Sequence, residues 1–368
     1  MDLKIKEKKL RKFTKLVIDD PKYKKEIKSY FENLKHSQIG LMNKIKVKSV
    51  SKLGMGSGNA NFLVVANGMK FVFRLNMELN MPKKSKREFE ALKIVEKKGI
   101  APKVRLLDDS KKKFDSDLLV LDYIEGKTSD KVEGYLGDKM IKNIARLCAK
   151  LHSIKITGKL NNLEKSEVYG RYSDSLKWLK SHYIDYINKK LKNKELLKII
   201  HESYKKLLSE APKTKYEVDK VLTQGDFCEQ NVIVNKNEYR LIDFEDLGMG
   251  DASSEIALIF ITFGTPFNEK QRKLFLKEYF KIKKIKNKKE FIEKINNWIP
   301  IKQFNIFLWS IKHILKIKNK EMHKHFIEKN KLEEDIKYVG IVFRRCLRQD
   351  IIDKKDEKFE IIKIFNEI

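Results

Sequence analysis

Cysteine is scarce in this chain, and a long apolar run is lacking. The three cysteines, Cys148, Cys228 and Cys346, lie far apart and show no CxxC spacing. A disulfide framework or a structural zinc site is therefore not expected, and reduced thiols fit a cytoplasmic protein. No apolar stretch reaches the roughly 18 residues that a membrane-spanning helix requires. The chain begins with charged residues and lacks the apolar core of a secretory signal, so we expect a soluble, cytoplasmic protein.

Proline and glycine are also sparse, at 6 and 16 residues, whereas lysine and glutamate are abundant. This composition is compatible with a thermophilic source, and an AT-rich genome would bias the sequence in the same direction. The length of 368 residues and the hydrophobic share of 41% are those of a globular protein. They allow one large domain or two smaller lobes, each with its own core.

Negative charge is in deficit, because 81 basic residues face 51 acidic ones, a net charge of +30. Both ends of the chain are strongly basic: residues 1–50 carry +9 and residues 266–368 carry +12. Residues 216–265 are the exception, with 3 basic and 10 acidic residues. A short acidic block in an otherwise basic chain is most simply explained by a cation site.

The hydrophobic pattern divides the chain into three parts and predicts an α+β fold. Residues 1–44 have helical periodicity and form a basic N-terminal extension. Residues 45–125 predict a small lobe of strands with one helix near 83–98, and Asn67-Gly68 marks a hairpin. Residues 126–368 predict a mainly helical lobe that ends in basic helices.

The acidic block contains a loop whose residues suit phosphoryl transfer. Within residues 222–246, Asp226 is followed five residues later by Asn231, and Asp243 ends an apolar strand. Transfer of a phosphoryl group to a hydroxyl needs a carboxylate to accept the proton, and oxygen ligands to hold Mg²⁺. An Asp and an Asn on one loop, with a second Asp returned by a hairpin, can supply all three groups. An acidic surface hairpin of an unrelated fold is the alternative.

This stretch resembles the catalytic loop of aminoglycoside phosphotransferases and choline kinases, with the pattern His-Gly-Asp-x-x-x-x-Asn followed by Ile-Asp-Phe/Trp-Glu. The resemblance implies a bilobal protein-kinase-like fold and an ATP- and Mg²⁺-dependent kinase with an alcohol acceptor. It also implies that Asp226 is the catalytic base, and that Asn231 and Asp243 are the metal ligands. A protein Ser/Thr kinase is not favoured, because Asp243 is followed by Phe-Glu rather than Phe-Gly.

The sequence departs from the family pattern at three positions. Gln224 stands where the family usually has a structural His that braces the loop. In the segment that resembles Gly-Asp-Pro-x-x-Asp-Leu-Ala, Ala252 replaces Pro and Glu255 replaces Asp. Gln can still donate a hydrogen bond, so we expect it to be tolerated, but the change keeps a pseudokinase interpretation open.

A glycine-rich hairpin upstream is the candidate phosphate-binding loop. Gly54, Gly56, Ser57 and Gly58 separate two strands, and such a loop lets backbone N–H groups approach phosphates closely. On the next strand, Arg74 aligns with the basic residue that contacts phosphate in the family. Lys70 is the alternative on the same face of that strand, although its place near the turn favours a solvated side chain.

Two further elements resemble parts of the family's nucleotide site. Glu88, in the helix near 83–98, is expected to pair with Arg74 and to hold it towards the phosphates, although an exposed helix carboxylate is the alternative. The strand that leads to Asp122 and Ile124 resembles the family's adenine-binding hinge. His152 ends a helix in Leu-His and is expected to be structural.

The charge suggests the class of acceptor. A strongly basic protein repels cationic substrates and attracts polyanions, which favours an RNA kinase. Such an enzyme would be similar to the archaeal tRNA kinases of this superfamily, which phosphorylate an internal ribose 2′-hydroxyl. A small-molecule kinase acting on a sugar, amino alcohol or aminoglycoside, and an RNA-binding pseudokinase, are the alternatives. The basic residues proposed to contact RNA, each of which could instead be solvated, are Lys8, Arg11, Lys12, Lys15, Arg344, Arg345 and Arg348.

Overall fold

A computed structural model describes residues 21–55, 59–76, 84–114, 116–155, 165–167, 170–213, 215–319, 321 and 329–367. These residues form two compact units. The first contains the described residues up to Tyr135 together with Gln230–Leu247, and the second contains Leu136–Glu229 and the chain from Gly248 onwards. The division differs from the predicted lobes, because the boundary lies ten residues later and the hairpin after Gln230 belongs with the first unit.

The first unit is built on a five-stranded antiparallel sheet in the order β1-β2-β3-β5-β4. Its strands are β1 (Val47–Met55), β2 (Asn59–Ala66), β3 (Met69–Asn76), β4 (Val104–Asp108) and β5 (Leu118–Asp122). The predicted hairpin at Asn67-Gly68 is confirmed, since both turn residues have positive φ, at 50° and 76°. Along β3, Phe71, Phe73 and Leu75 are fully buried on one face, as their alternation predicts.

Two helices accompany this sheet. Helix α1 (Pro21–Glu32) packs Tyr23 and Phe31 against rings of the sheet, with centroid distances of 5.6 Å to Phe62 for Tyr23 and 6.0 Å to Phe71 for Phe31. Helix α2 (Lys84–Val95) continues as a 3-10 turn and stops at Gly99, whose φ of 67° suits glycine. The helix predicted near 83–98 is thus confirmed.

A second, three-stranded sheet in this unit carries the end of the acidic block. It has the order β10-β9-β6, with β6 (Lys127–Thr128), β9 (Val232–Asn235) and β10 (Glu238–Leu241). Gly126 precedes β6 with φ of 142°, and a Cβ there would lie 2.5 Å from the Val234 carbonyl oxygen. Only glycine fits where the chain passes β9 so closely.

The second unit is mainly helical, as predicted. Its helices are α3 (Asp138–His152), α4 (Tyr172–Leu179), α5 (Asp185–Lys190), α6 (Lys194–Glu210), α7 (Ala252–Thr262), α8 (Glu269–Ile282), α9 (Lys288–Lys318), α10 (Lys329–Arg348) and α11 (Ile361–Glu367). A π-helical turn, Lys180–Ile184, joins α4 to α5. A small sheet in the order β7-β11-β8 consists of β7 (Lys165–Glu167), β8 (Lys220–Thr223) and β11 (Gly248–Asp251).

The core of this unit lies around α7. Most of α7 is buried, α9 packs along it, and α3 packs on α8. Within the described residues, no helix combines the length and the apolar character needed to cross a bilayer. A β-rich unit and a helical unit confirm the predicted α+β class.

Candidate active site

A buried arginine cluster lies at the centre of the first unit. Arg74 on β3 donates to Glu88 of α2 at 2.6 Å and to Asp243 at 2.5 Å, and its guanidinium lies 3.7 Å from the Glu245 carboxylate. The Arg74 and Glu88 side chains are only 6% and 4% exposed. The predicted pairing of Arg74 with Glu88 is therefore confirmed. Lys70 instead pairs with Glu125 at the surface.

The three carboxylates fix the charge of this arginine. Burial alone would lower the pKa of Arg74, but the charges of Glu88, Asp243 and Glu245 outweigh it and raise the pKa above its ordinary value. Arg74 therefore remains a cation throughout the physiological range. A permanent buried cation on a rigid strand suits the recognition of phosphate oxygens.

Glu245 links this cluster to two other elements, and sequence reasoning assigned it no role. Its carboxylate accepts a hydrogen bond from the Asn59 side chain at 2.5 Å, at the start of β2. Its carbonyl accepts from Arg87 of α2 at 2.9 Å. Its sequence signals are its place two residues after Asp243 and its match to the Glu of the Ile-Asp-Phe/Trp-Glu pattern. Glu245 thus ties the turn after Asp243 to the first residue beyond the glycine-rich loop.

A cavity of about 660 Å³ opens beside the cluster, entirely within the first unit. Arg74, Glu88 and Asp243 line it, as do Asp122 and Ile124 from the predicted hinge. Apolar residues of both sheets line it, Leu53, Val72, Leu121 and Ile233, together with Ile124 and Ile242 from the segments after β5 and β10. Apolar walls with a few charged groups are typical of nucleotide sites.

Asp122 has a structural partner that the sequence did not indicate. Its carboxylate accepts two hydrogen bonds from Arg105, at 2.6 and 2.9 Å, and its amide donates to the Lys103 carbonyl. The Asp122 side chain therefore braces β4 against β5. Any nucleotide contact at this position would fall to the backbone.

In the first unit, Asn231 immediately precedes β9 and Asp243 lies two residues after β10, so both lie at the same end of this hairpin. The amide of Ile242, next to Asp243, donates to the Asn231 carbonyl at 2.9 Å. Asp243 has φ of 60°, a left-handed conformation that is strained for a non-glycine residue and is common at functional sites. Its side chain is 31% exposed, so it remains accessible from the cavity. Carboxylate and amide oxygens are suitable Mg²⁺ ligands.

Asp226 lies in the second unit, on an exposed loop whose backbone amides are hydrogen-bonded to side chains of the same unit. The amide of Asp226 donates to the buried Gln224 side chain at 2.8 Å, and the amide of Gly225 donates to Glu255 at 3.0 Å. Gly225 has φ of 88°. Gln224 thus accepts a hydrogen bond within the loop, whereas the sequence argument considered it as a donor, and its tolerance at this position stays a prediction.

His152 is part of the buried support of this loop. Its Nε2 lies 2.6 Å from Glu255, and its Nδ1 lies 2.8 Å from the Tyr279 hydroxyl. Cys148, His152 and Glu255 are close enough to hold a metal ion. Both nitrogens of His152 are already hydrogen-bonded, however, and burial raises the pKa of the Cys148 thiol well above its ordinary value. The cluster is structural, which agrees with the expectation for His152.

The other predicted site residues are distributed as follows. Gly54 lies near the end of β1, and Gly56, Ser57 and Gly58 lie outside the described residues. The basic residues predicted to contact RNA in the N-terminal extension, Lys8, Arg11, Lys12 and Lys15, also lie outside them.

The C-terminal arginines on α10 do not share one environment. Arg344 and Arg348 are exposed. Arg345 is half-buried and donates to the carbonyls of Ile261 and Gly264, at the end of α7. These bonds favour a structural role for Arg345 over the predicted one in RNA binding.

Comparison with known proteins shows the family to which this chain belongs. A family model described as the phosphotransferase enzyme family matches residues 49–288. A search of curated proteins found no match.

Solved structures share the fold. The gentamicin–APH(2'')-IIa complex is similar over 88% of this chain and 97% of that chain, with 20% identity and a TM-score of 0.59. A choline kinase from Cryptosporidium parvum Iowa II is similar over 87% and 93%, with 16% identity and a TM-score of 0.58. A choline/ethanolamine kinase family protein from Mesorhizobium loti is similar over 94% and 99%, with 14% identity and a TM-score of 0.59. These likenesses confirm the kinase-like fold expected from the sequence.

Proposed function

Because this chain belongs to the phosphotransferase enzyme family, we propose that it transfers the terminal phosphoryl group of ATP to a hydroxyl group. The observation that carries this proposal is the cavity of about 660 Å³, which is lined by apolar side chains and by the Arg74 cluster. Apolar walls from two sheets suit a flat base, and a buried cation suits the phosphates. One ligand with both features is a nucleoside triphosphate.

Asn231 and Asp243 would hold Mg²⁺, which would neutralise phosphate charge during transfer. Asp243 lines the cavity and keeps an accessible carboxylate. Its hydrogen bond to Arg74 orients the side chain at the cavity wall. Glu88 accepts a hydrogen bond from the other terminal nitrogen of Arg74. The two bonds together fix the position of Arg74 relative to the proposed metal ligand Asp243.

Asp226 would act as the general base that accepts the proton of the attacking hydroxyl. Its carboxylate is on an exposed loop, and the loop backbone is fixed by Gln224 and Glu255. A base needs access to substrate and a fixed position, and this loop supplies both. The same hydrogen bonds argue against a pseudokinase, because the Gln224 substitution leaves the loop braced.

We further propose RNA, specifically tRNA, as the acceptor, with a ribose 2′-hydroxyl as the reacting group. The support is the net charge of +30, which attracts polyanions over long distances. A small-molecule acceptor is the second candidate. It is favoured by the fold shared with choline kinase and with the gentamicin complex of APH(2'')-IIa.

Incubation with γ-labelled ATP, Mg²⁺ and bulk tRNA tests both levels of the proposal. Label in the RNA that is lost with Asp226→Ala would support RNA as the acceptor. Label only in a panel of small hydroxyl compounds would refute RNA but keep the phosphotransferase. If neither acceptor is labelled and ATP-Mg gives no thermal shift, the proposed activity is wrong.

A further inference from the structure

A second cavity, of about 540 Å³, lies in the first unit between α1 and the segment that leads into β1. Four of its lining residues are lysines: Lys25 and Lys28 on one wall, and Lys44 and Lys46 on the other. We call it the lysine cleft. Of the lining residues that the structure describes, Glu32 is the one acidic residue.

Both walls of the lysine cleft are held by hydrogen bonds. Glu32, at the end of α1, accepts from the Val47 amide at 3.3 Å. The Asn67 side chain accepts from the Lys46 amide at 2.7 Å and donates to the Lys44 carbonyl at 3.1 Å. The backbone that carries the lysines is therefore set by a helix and a hairpin turn. The four lysines thus line the cleft from two fixed segments of backbone.

The balance of charge selects an anionic ligand. Glu32 lies 4.0 Å from Lys28, so it offsets one of the four positive charges. All four lysine side chains are exposed. Opposing pairs of lysines across a cleft suit a chain of phosphates better than one small anion, because each phosphate can meet a cation on either wall.

The shape and lining narrow the choice further. Among the described residues that line the cleft, Ile45 is the sole apolar one and is 2% exposed, so these residues offer no wall on which a base could stack. A flat bilayer surface cannot enter a cleft, whereas a sugar–phosphate strand can. Recognition would fall on the backbone and would be independent of base sequence.

We propose that the lysine cleft binds the sugar–phosphate backbone of RNA, as a docking surface separate from the nucleotide cavity. The inference rests on the proposed function, because it assumes that RNA is the acceptor. The cleft would hold the body of a folded RNA, and neither Asp226 nor the Arg74 cluster takes part in this binding.

Equilibrium binding of fluorescein-labelled bulk tRNA, measured at several salt concentrations, tests the cleft. The test variant is Lys25→Gln/Lys28→Gln. The matched control is Lys270→Gln/Lys273→Gln on α8, where two exposed lysines have the same spacing and Lys273 pairs with Glu269. We expect the cleft variant to weaken binding by about tenfold and to lower the salt slope by about two. The control should change affinity by less than about twofold.

Equal losses of tRNA affinity in the two variants, or no loss in the cleft variant, would refute the lysine cleft as an RNA-binding surface. So would unchanged tRNA affinity together with lost binding to phosphatidylserine vesicles. Phosphoryl transfer, measured separately, distinguishes the two proposals. Cleft-dependent binding of tRNA that is never labelled would keep the cleft and refute RNA as the acceptor. If the cleft variant labels tRNA with an unaltered KM, RNA is kept as the acceptor and the cleft is refuted as its binding surface. Thermal unfolding should be the same for both variants, which confirms that they fold.

Discussion

Replacement of Arg74 by methionine should destabilise the protein strongly. The guanidinium contacts Glu88 at 2.6 Å and Asp243 at 2.5 Å, and the Glu88 side chain is 4% exposed. Arg74→Met would leave the Glu88 carboxylate buried without a cation. Loss of one partner from a buried pair costs about 3–5 kcal/mol. At about 2–4 °C per kcal/mol for a domain of this size, the midpoint of thermal unfolding should fall by about 6–20 °C.

Glu88→Gln is the informative comparison at the same site. Glutamine can still accept a hydrogen bond from Arg74, and the arginine keeps Asp243 and Glu245 as partners. The expected loss is about 1–1.5 kcal/mol, the difference between a charge-assisted and a neutral hydrogen bond. Arg74→Met should therefore be the more harmful change, and it should also abolish the thermal shift caused by ATP-Mg.

Arg105→Met is the matched control in the same sheet. Arg105 also binds a carboxylate through two nitrogens, but its partner Asp122 is 29% exposed and can be solvated when the arginine is lost. Its loss should cost less than that of Arg74. Circular dichroism during heating, with and without ATP-Mg, measures all three variants. An unfolding midpoint for Arg74→Met equal to that of the wild type, or lower for Arg105→Met than for Arg74→Met, would refute the reasoning.

Three further perturbations test other parts of the structure. Asp226→Asn should lower kcat by about 10²–10⁴-fold and leave the thermal shift with ATP-Mg unchanged, because the group acts on the acceptor. Burial raises the pKa of Asp251 to about 6. The stability it contributes is therefore complete below about pH 4 and lost as pH rises through about 6, about 3 kcal/mol in all. Asp251→Asn should flatten this dependence in urea titrations between pH 4 and 7. Gly126→Ala should cost at least about 2 kcal/mol and weaken ATP binding in calorimetry, since the new methyl group would meet the Val234 carbonyl at the cavity wall.

Each of these has a contrary result. A kcat for Asp226→Asn equal to that of the wild type would refute the role of Asp226 as the general base. A stability that falls between pH 4 and 7 as much in Asp251→Asn as in the wild type would show that other groups govern the dependence. Wild-type stability in Gly126→Ala would mean that β9 can move aside.

Local signals in the sequence predicted the strands of the main sheet and helix α2. The alternation of Phe71 and Phe73 with Val72, and the Asn67-Gly68 turn, act over a few residues and depend little on the rest of the chain. The short strands β6, β7 and β11 were not predicted. They have two to four residues each, and their partners lie far away in sequence, so neither period nor length identifies them.

The candidate site divides in the same way. The pairing of Arg74 with Glu88 was predicted from a family pattern. The hydrogen bond of Asn59 to Glu245 joins residues 186 positions apart, which no local pattern encodes. Arg345 was assigned to a basic surface from its charge, because sequence does not reveal the carbonyls that its guanidinium reaches in the folded chain.

The two oxygens of Glu255 join the loop that carries Asp226 to His152 of α3. One oxygen accepts from Gly225, next to Gln224, and the other meets His152. Positions 224 and 255 are both departures from the family pattern, with Gln for His and Glu for Asp, and their side chains accept from adjacent backbone amides, those of Asp226 and Gly225. A shorter acid could not span both contacts unless the neighbouring side chain changed as well. Exchange of either residue alone for the one usual in the family should thus lower stability more than the double exchange. The effects of the two substitutions on stability would then not be additive.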